Sequence, residues 1–495
     1  MIQSEFVAWA NEEAARIERG EAQRYHAVLC DPPYGLEFMG KEWDAPHKAD
    51  WNNWEAEAGR YHNDTNFLAR GERPRYHAGQ SFQSWVGIWA AALIPLLYPG
   101  ALVFCFGGTR TWHRLACGFE DAGFQIWDTL MWLHGQGFPK AQGIGSLIDK
   151  VNGAAARSKG FNVAHGQHHE PQELCHRADY GGKYEPVSED AKPWSGHKTA
   201  ALKPAWEPVL CFKAPTQGKT YAELALEYGS GALNVDGGRI AVAPQDAEAM
   251  ARCNTQGSGR MLPKGSAGLY GGHPGIAGPL DTTQGRYPAN LALECTCDIE
   301  RLSDREIERL EEGNHRITQS PNHHSPDCPA AMLDAQAGDR PGPWGKNSFI
   351  SEKKSGPACI DVGPRFVPNE KFGSESGGPS RFFYCAKASR GEREVGLQSE
   401  IKNQKSKIGN DHPTVKPLTL CRWLGTLLLP PESIKPRRLL VPFAGTDSEM
   451  IGALEAGWDD VTGIEQDAHY REIAQARIGE FNNREPLFRG LEVGI

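Results

Sequence analysis

A surplus of positive charge is missing from this sequence: 53 Lys and Arg stand against 62 Asp and Glu, a formal net charge of -9. A chain with that balance does not draw in a polyanion through its overall field, so affinity for nucleic acid has to come from local patches. Candidates for phosphate contact are "KNQKSK" at 402–407, "KPRR" at 435–438, and the cluster Arg381, Lys387, Arg390 and Arg393. Also missing is a charged N-terminal region leading into an apolar one, and the 12 cysteines have no regular spacing. Both absences argue against a secreted disulfide framework and for a reducing, cytoplasmic setting. Long uncharged runs are scarce. "VGIWAAALIPLLYPGALVFCFGG" at 86–108 is long enough to span a bilayer, but Pro95 and Pro99-Gly100 divide it into a short helix, a turn and a buried strand, so no membrane contact is expected.

What is present separates into three zones. Residues 1–215 carry helix and strand patterns: an amphipathic helix to Arg19, a strand over Ala27 to Cys30, the helix and strand of the 86–108 run, the strand-rich "GFQIWDTLMWLHG", and a strand at Val209 to Phe212. A polar, His-rich insert interrupts this zone near 151–200, and its "HGQHHE" at 165–170 reads as solvated loop. Residues 216–380 are rich in Gly, Pro, Ser and Asn with few periodic runs, the texture of a loop-heavy inserted domain. From 381 to 495 the α/β texture returns, with "RFFYCAKA" as a strand and "PLTLCRWLGTLLLP" as a helix ended by Pro430-Pro431.

Two stretches carry chemistry. In "RYHAVLCDPPYGLEFMG" an apolar strand runs into Asp31-Pro32-Pro33-Tyr34. Adjacent prolines cannot donate ladder hydrogen bonds, so the strand stops there and leaves a carboxylate at the sheet edge, where open α/β sheets bind ligands. In "RRLLVPFAGTDSEMIGALEAGWDDVTGIEQD" the order is strand, glycine turn, helix near Ser448, strand, acidic end. Gly445 permits close backbone approach, the helix N-terminus offers free N–H groups, and Glu465, about twenty residues on, stands where an acid can hold ribose hydroxyls.

Together these motifs resemble the permuted β class of amino-group DNA methyltransferases: "DPPYGLEFMGKEWD" first, "NDHPTVKPLTL" before the cofactor strand, and "VPFAGTDSEMIGA" with "VTGIEQD" last. The resemblance implies an α/β fold, a Rossmann-like mixed sheet with helices on both faces, assembled from 1–215 and 381–495 and interrupted by a target-recognition domain at 216–380. It implies methyl transfer from S-adenosylmethionine to an exocyclic amino group of a flipped base in double-stranded DNA. Adenine N6 is favoured because Asp opens the motif, where Ser is more usual in the cytosine N4 branch; cytosine N4 is the alternative. Asp31 and the Pro32 carbonyl would accept the two amine N–H groups, and Tyr34 would stack on the base. Phe443, Gly445, Thr446, Asp447 and Ser448 would line the cofactor site, Glu465 would hold the ribose, and Thr414 and Lys416 would lie near the methionine end. A restriction endonuclease partner, an orphan role and a homodimer all stay open.

Two positions depart from the family's "DPFxGxG": Val441 replaces Asp, and Asp447 replaces the second Gly. Asp447 adds a Cβ and a negative charge beside a cofactor that carries a carboxylate, which predicts weaker cofactor binding than a glycine there would allow. It also leaves open a DNA-binding protein with a decayed cofactor site. In the middle zone, Cys295 and Cys297 of "LECTCD" with His324 and Cys328 of "NHHSPDCP" form a candidate Cys3His zinc site; buried free thiols are the alternative. Trp43, Trp51 and Trp54 are candidates for covering the flipped base or packing on the domain.

Overall fold

Six consecutive residues of the strand before the Asp-Pro-Pro-Tyr motif, Tyr25–Cys30, are all buried, which requires cover on both faces of the sheet. The computed structural model of the chain describes residues 1–35, 75–134, 141–153, 186–240, 285–295, 329–337, 349–352, 365–368, 384–387, 410, 412 and 415–488. In chain order these form β1 (Ile2–Gln3), α1 (Phe6–Glu18), β2 (Tyr25–Cys30), α2 (Arg75–Leu93), β3 (Leu97–Phe106), α3 (Trp112–Asp121), β4 (Gln125–Leu133), α4 (Ile144–Val151), β5 (Trp206–Lys213) and α5 (Tyr221–Tyr228). They continue with β6 (Leu291–Cys295), α6 (Pro329–Ala337), β7 (Phe349–Glu352), β8 (Arg365–Pro368), β9 (Tyr384–Lys387), α7 (Leu418–Leu428), β10 (Arg438–Val441), α8 (Ser448–Glu455), β11 (Asp460–Glu465) and α9 (Ala468–Phe488).

The main sheet has the order β1-β11-β10-β2-β3-β5-β4-β6-β9, and β7 pairs with β8 separately. Neighbours are parallel except around β5, which runs antiparallel to both β3 and β4. Alternation along β2 sorts its side chains. Val28 and Cys30 join Phe6, Trp9, Phe82, Val86, Trp89 and Phe119 in one core, on the side of α1, α2 and α3. Ala27 and Leu29 join Leu420, Trp423, Leu427 and Met450 in the other, on the side of α7 and α8. The result is a Rossmann-like mixed sheet with helices on both faces. Helices α7 and α8 approach so closely that a Cβ on Gly452 would lie 2.6 Å from the Arg422 backbone nitrogen.

The 86–108 run becomes the end of α2, a short 3-10 turn at Ile94–Leu96 and β3, so its apolar character is core. Among the described residues no helix is long and apolar enough to cross a membrane.

By compactness the chain divides into two units. One compact unit comprises Met1–Leu133 with Trp206–Ile495, and a second comprises His134–Ala205. In the second, the buried Asp149 carboxylate accepts hydrogen bonds from the backbone of Val187 and Ser188 and from the Ser188 hydroxyl, at 2.8, 2.8 and 2.6 Å. The described parts of 216–380 do not form a unit of their own. Strand β6 extends the main sheet by pairing with β4, and the Leu224 side chain of α5 lies 2.5 Å from where a Cβ on Gly100 of β3 would be. The reason is pairing: a short strand such as β6 has no stability alone and gains it as an added sheet neighbour, which composition does not reveal.

Candidate active site

In the main sheet β10 and β2 are neighbours, with Leu439 opposite Ala27 and Leu440 opposite Val28. The chain passes outward from β10 to β11 on one side and from β2 to β3 on the other. This is a topological switch point, and the carboxyl ends of the two strands open onto one crevice. Asp31 follows β2 and the 442–447 turn follows β10, so residues more than 400 positions apart in sequence share that crevice.

Asp31 is gripped on both oxygens. The Tyr34 hydroxyl is 2.7 Å from Oδ1, and Lys416 Nζ donates to Oδ2 at 2.6 Å. Lys416 also lies 3.2 Å from the Tyr34 hydroxyl and 3.3 Å from Glu207 Oε2. The Tyr34 hydroxyl is in turn 3.1 Å from Glu207 Oε2. Glu207 reaches this cluster because β5 runs antiparallel, which brings its N-terminal end to the edge where β2 and β3 finish. Only 3% of the Lys416 side chain and 11% of that of Asp31 are exposed, so the charges act with little solvent screening.

Burial pushes the Asp31 carboxyl up, with Lys416 opposing that rise and Glu207 adding to it. For Lys416 burial acts against the charge, but Asp31 and Glu207 outweigh it and the ammonium is held above its ordinary range. Burial, then the two carboxylates, push the Tyr34 phenol well above its usual value. Glu449, at the start of α8, is pushed up to about 7 by burial and by Asp31. The cluster thus holds three acids around one cation, an arrangement that can accept a proton.

Beside it the glycine turn is held from three directions. The Gly445 amide donates to Glu465 Oε2 at 2.8 Å, while the other carboxylate oxygen accepts from the Asp467 amide at 2.8 Å. A Cβ on Gly445, which has φ of 53°, would come within 3.2 Å of His412 Nε2. Asn410 donates to the Thr446 hydroxyl at 3.3 Å, and the fully buried Arg477 of α9 donates to the Thr446 carbonyl. Phe443 packs among Phe6, Trp85 and Trp89, with ring centroids 5.2 to 5.8 Å apart. Asp447 takes the left-handed conformation, φ 70°, at the start of α8. It is completely buried, and among the described residues neither carboxylate oxygen has a hydrogen-bond partner. Burial therefore pushes its carboxyl well above the ordinary range, with Arg477 opposing. Ser448 is buried beside it.

Lys416, expected near the methionine end of a cofactor, lies in the structure against Asp31. The basic residues of the "KPRR" patch are engaged in ion pairs. Lys435 and Arg437 pair with Asp459 at 2.6 and 3.0 Å, and Arg438 pairs with Asp460 at 2.6 Å. These residues precede or begin β10, at the end of the sheet away from the crevice. Thr414, Cys297, His324, Cys328, Trp43, Trp51, Trp54, the 165–170 histidines, the 402–407 lysines, Arg381, Arg390 and Arg393 lie outside the described residues. Cys295 and Lys387 are described only as strand ends. Among the described residues no group of three or more His, Cys, Asp or Glu could hold a metal ion. Glu207, Glu449, Arg477 and Asn410 were not singled out from sequence. An acid opening an apolar strand, one in a first helical turn and an arginine within a helix are ordinary in sequence, and only the fold turns them inward.

No protein-family model matches the chain. Over 230 residues it is 25% identical to the type II methyltransferase M.HindIII of Haemophilus influenzae, an alignment covering 44% of this chain and 61% of that protein. Among solved structures, the M1.HpyAVI–SAM complex matches with TM-score 0.30 at 10% identity, over 95% of each chain. The cytosine-N4-specific PvuII DNA methyltransferase matches with TM-score 0.31 at 10% identity, over 94% of this chain and 87% of that one. Scores this low do not superpose one fold on another, so the likeness that counts is in sequence. By that measure the chain is homologous to a type II methyltransferase and spans about three-fifths of that relative's length.

Proposed function

We propose that this protein transfers a methyl group from S-adenosylmethionine to the exocyclic amino group of a base in double-stranded DNA, with adenine N6 as the favoured target and cytosine N4 the alternative. The observation that carries the reading is the meeting of Asp31 with the Phe443–Ser448 turn at neighbouring strand ends, β2 beside β10. Homology to a type II methyltransferase supports the reaction class.

The chain's residues fit the cofactor in kind. The Gly445 turn, the N-terminus of α8 and the Glu465 carboxylate offer a close backbone approach, N–H donors and a ribose acceptor. S-adenosylmethionine supplies an electrophilic methyl on a sulfonium. An aryl amine is a weak nucleophile because its lone pair is delocalised into the ring. Asp31 would accept one amine N–H and the Pro32 carbonyl the other, turning the lone pair toward the methyl, with the rest of the rate coming from alignment. Both Asp31 oxygens already have donors, and a substrate N–H would share or displace one of them. The base must be swung out of the duplex first, since its amino group is paired inside the stack. Target recognition is assigned to the 216–380 stretch.

The test is transfer of labelled methyl to mixed genomic DNA from a methylation-free host, with long-read sequencing to identify base and site. Wild type should label DNA and Asp31→Ala should not, while both remain folded by circular dichroism. Equal labelling by Asp31→Ala would remove Asp31 from the chemistry.

A further inference from the structure

Methylating an amine leaves a proton to be disposed of, and the crevice contains a carboxylate that the transfer itself does not use. The Tyr34 hydroxyl has one proton and two carboxylate acceptors, Asp31 Oδ1 at 2.7 Å and Glu207 Oε2 at 3.1 Å. Lys416 likewise faces both, at 2.6 and 3.3 Å. Of the two acids Glu207 is nearer to water, with 23% of its side chain exposed against 11% for Asp31. We propose that Glu207 is a positioning residue that acts through Tyr34, first drawing the Tyr34 hydroxyl and Lys416 off Asp31 when substrate arrives, then accepting the proton released by the reaction. The proposal rests on the methyl-transfer reading above.

The step balances as follows. The amine lone pair forms the N–CH3 bond as the S–CH3 bond breaks, which leaves a neutral thioether and a protonated methylamine. That nitrogen gives a proton to Asp31. Asp31 passes it to the Tyr34 oxygen while the tyrosine's own proton moves to Glu207 Oε2, so the phenol is neutral before and after. Glu207 then returns its proton to water and the cluster is reset. A phenol that ionises only with difficulty suits a relay that never holds a phenolate.

Other groups face this path. Lys416 precedes α7 and Glu449 stands on α8; the buried thiols of Cys105 on β3 and Cys421 on α7 feel Asp31 and are pushed up by burial. Lys416 also spans Asp31 and Glu207, but its ammonium is held above its ordinary range and has no lone pair with which to take a proton, whereas the Tyr34 hydroxyl can both accept and donate.

The experiment measures methyl transfer from labelled S-adenosylmethionine to mixed unmethylated genomic DNA by wild type, Glu207→Gln, Glu207→Asp, Tyr34→Phe and the Glu207→Gln/Tyr34→Phe double variant across pH. Glu207→Gln should lower kcat by about 10-fold to 100-fold, leave KM for the cofactor within about two-fold, and change the shape of the pH profile. Glu207→Asp should recover most of the rate. Because the two groups act in one relay, the double variant should be no slower than the slower single. Tyr34→Phe deletes a single oxygen and keeps the ring, so that arm reads the relay even where the glutamine variant folds poorly. Wild-type kcat and pH profile in Glu207→Gln, or multiplied losses in the double variant, overturn the proposal. Failure of wild type to label any DNA overturns the methyl-transfer reading and this inference with it.

Discussion

Asp447 puts a carboxylic acid with no exposure, and no hydrogen-bond partner among the described residues, at the turn into α8, in a conformation that glycine adopts without strain. The left-handed geometry costs an L-residue roughly 1 kcal/mol or more, and an unsatisfied buried polar group about 1 to 3 kcal/mol. Asp447→Gly is therefore expected to raise the urea midpoint, a gain of about 1 to 3 kcal/mol in unfolding free energy. The acid's folded value lies well above its unfolded one, so the native state binds the extra proton. Its contribution to stability is then greatest below about pH 4, the unfolded value, and is lost as pH rises through the folded value. Glu449 contributes in the same direction up to about 7. Unfolding melts at pH 5 and pH 8 should show Asp447→Asn losing less stability over that interval than wild type; an unchanged slope would contradict this. Burial also alters the expected conflict with the cofactor. A protonated Asp447 carries no charge to repel a carboxylate, so calorimetry should find the advantage of Asp447→Gly in binding S-adenosylmethionine small at low pH and larger as pH rises. Lys416 is the converse case. Lys416→Met leaves Asp31 and Glu207 facing each other without their cation, and breaking such a buried pair typically costs about 3 to 5 kcal/mol. Chemical denaturation should show a loss of that order, reduced at acidic pH as the Asp31 carboxyl, already pushed up by burial, takes a proton.

Between elements, close backbone packing supports the turn. Helix α8 sits on α7 through Gly452, where an added Cβ would lie 2.6 Å from the Arg422 backbone nitrogen and from the Cys421 Cβ. Neither of those atoms is the end of a flexible side chain, so a larger residue must push the helices apart. Gly452→Val should cost about 1 to 3 kcal/mol by urea denaturation and also weaken S-adenosylmethionine binding, because α8 starts at the turn. Retained affinity in a destabilised Gly452→Val variant would show that the turn is held by Arg477 and Glu465 independently of helix spacing.

At the scale of the molecule, the switch point joins the two ends of the polypeptide. A ligand in that crevice contacts both sequence-distant halves, and binding only to the folded state stabilises it by mass action. S-adenosylmethionine at one hundred times its Kd should add about 2.7 kcal/mol to unfolding. Differential scanning fluorimetry with and without cofactor reads this directly, and Asp31→Ala should keep the shift if its carboxylate serves the amine rather than the cofactor. No thermal shift in wild type would favour a decayed cofactor site.

The strand into Asp31, the helix after Gly445 and the acidic end at Glu465 were readable from the chain because each has a local cause: prolines that end pairing, glycine at a tight turn, apolar runs of strand or helix period. Motif order also led to the expectation that the two ends of the chain share one sheet, and β2 does pair with β10. The membership of β6 in the main sheet, the pairing of "KPRR" with Asp459 and Asp460, and the gathering of Glu207, Glu449 and Lys416 around Asp31 were decided only in three dimensions. Sheet neighbours and ion pairs bring together residues up to hundreds of positions apart, and the free energy that selects them comes from burial and Coulomb attraction between side chains whose local sequence is ordinary.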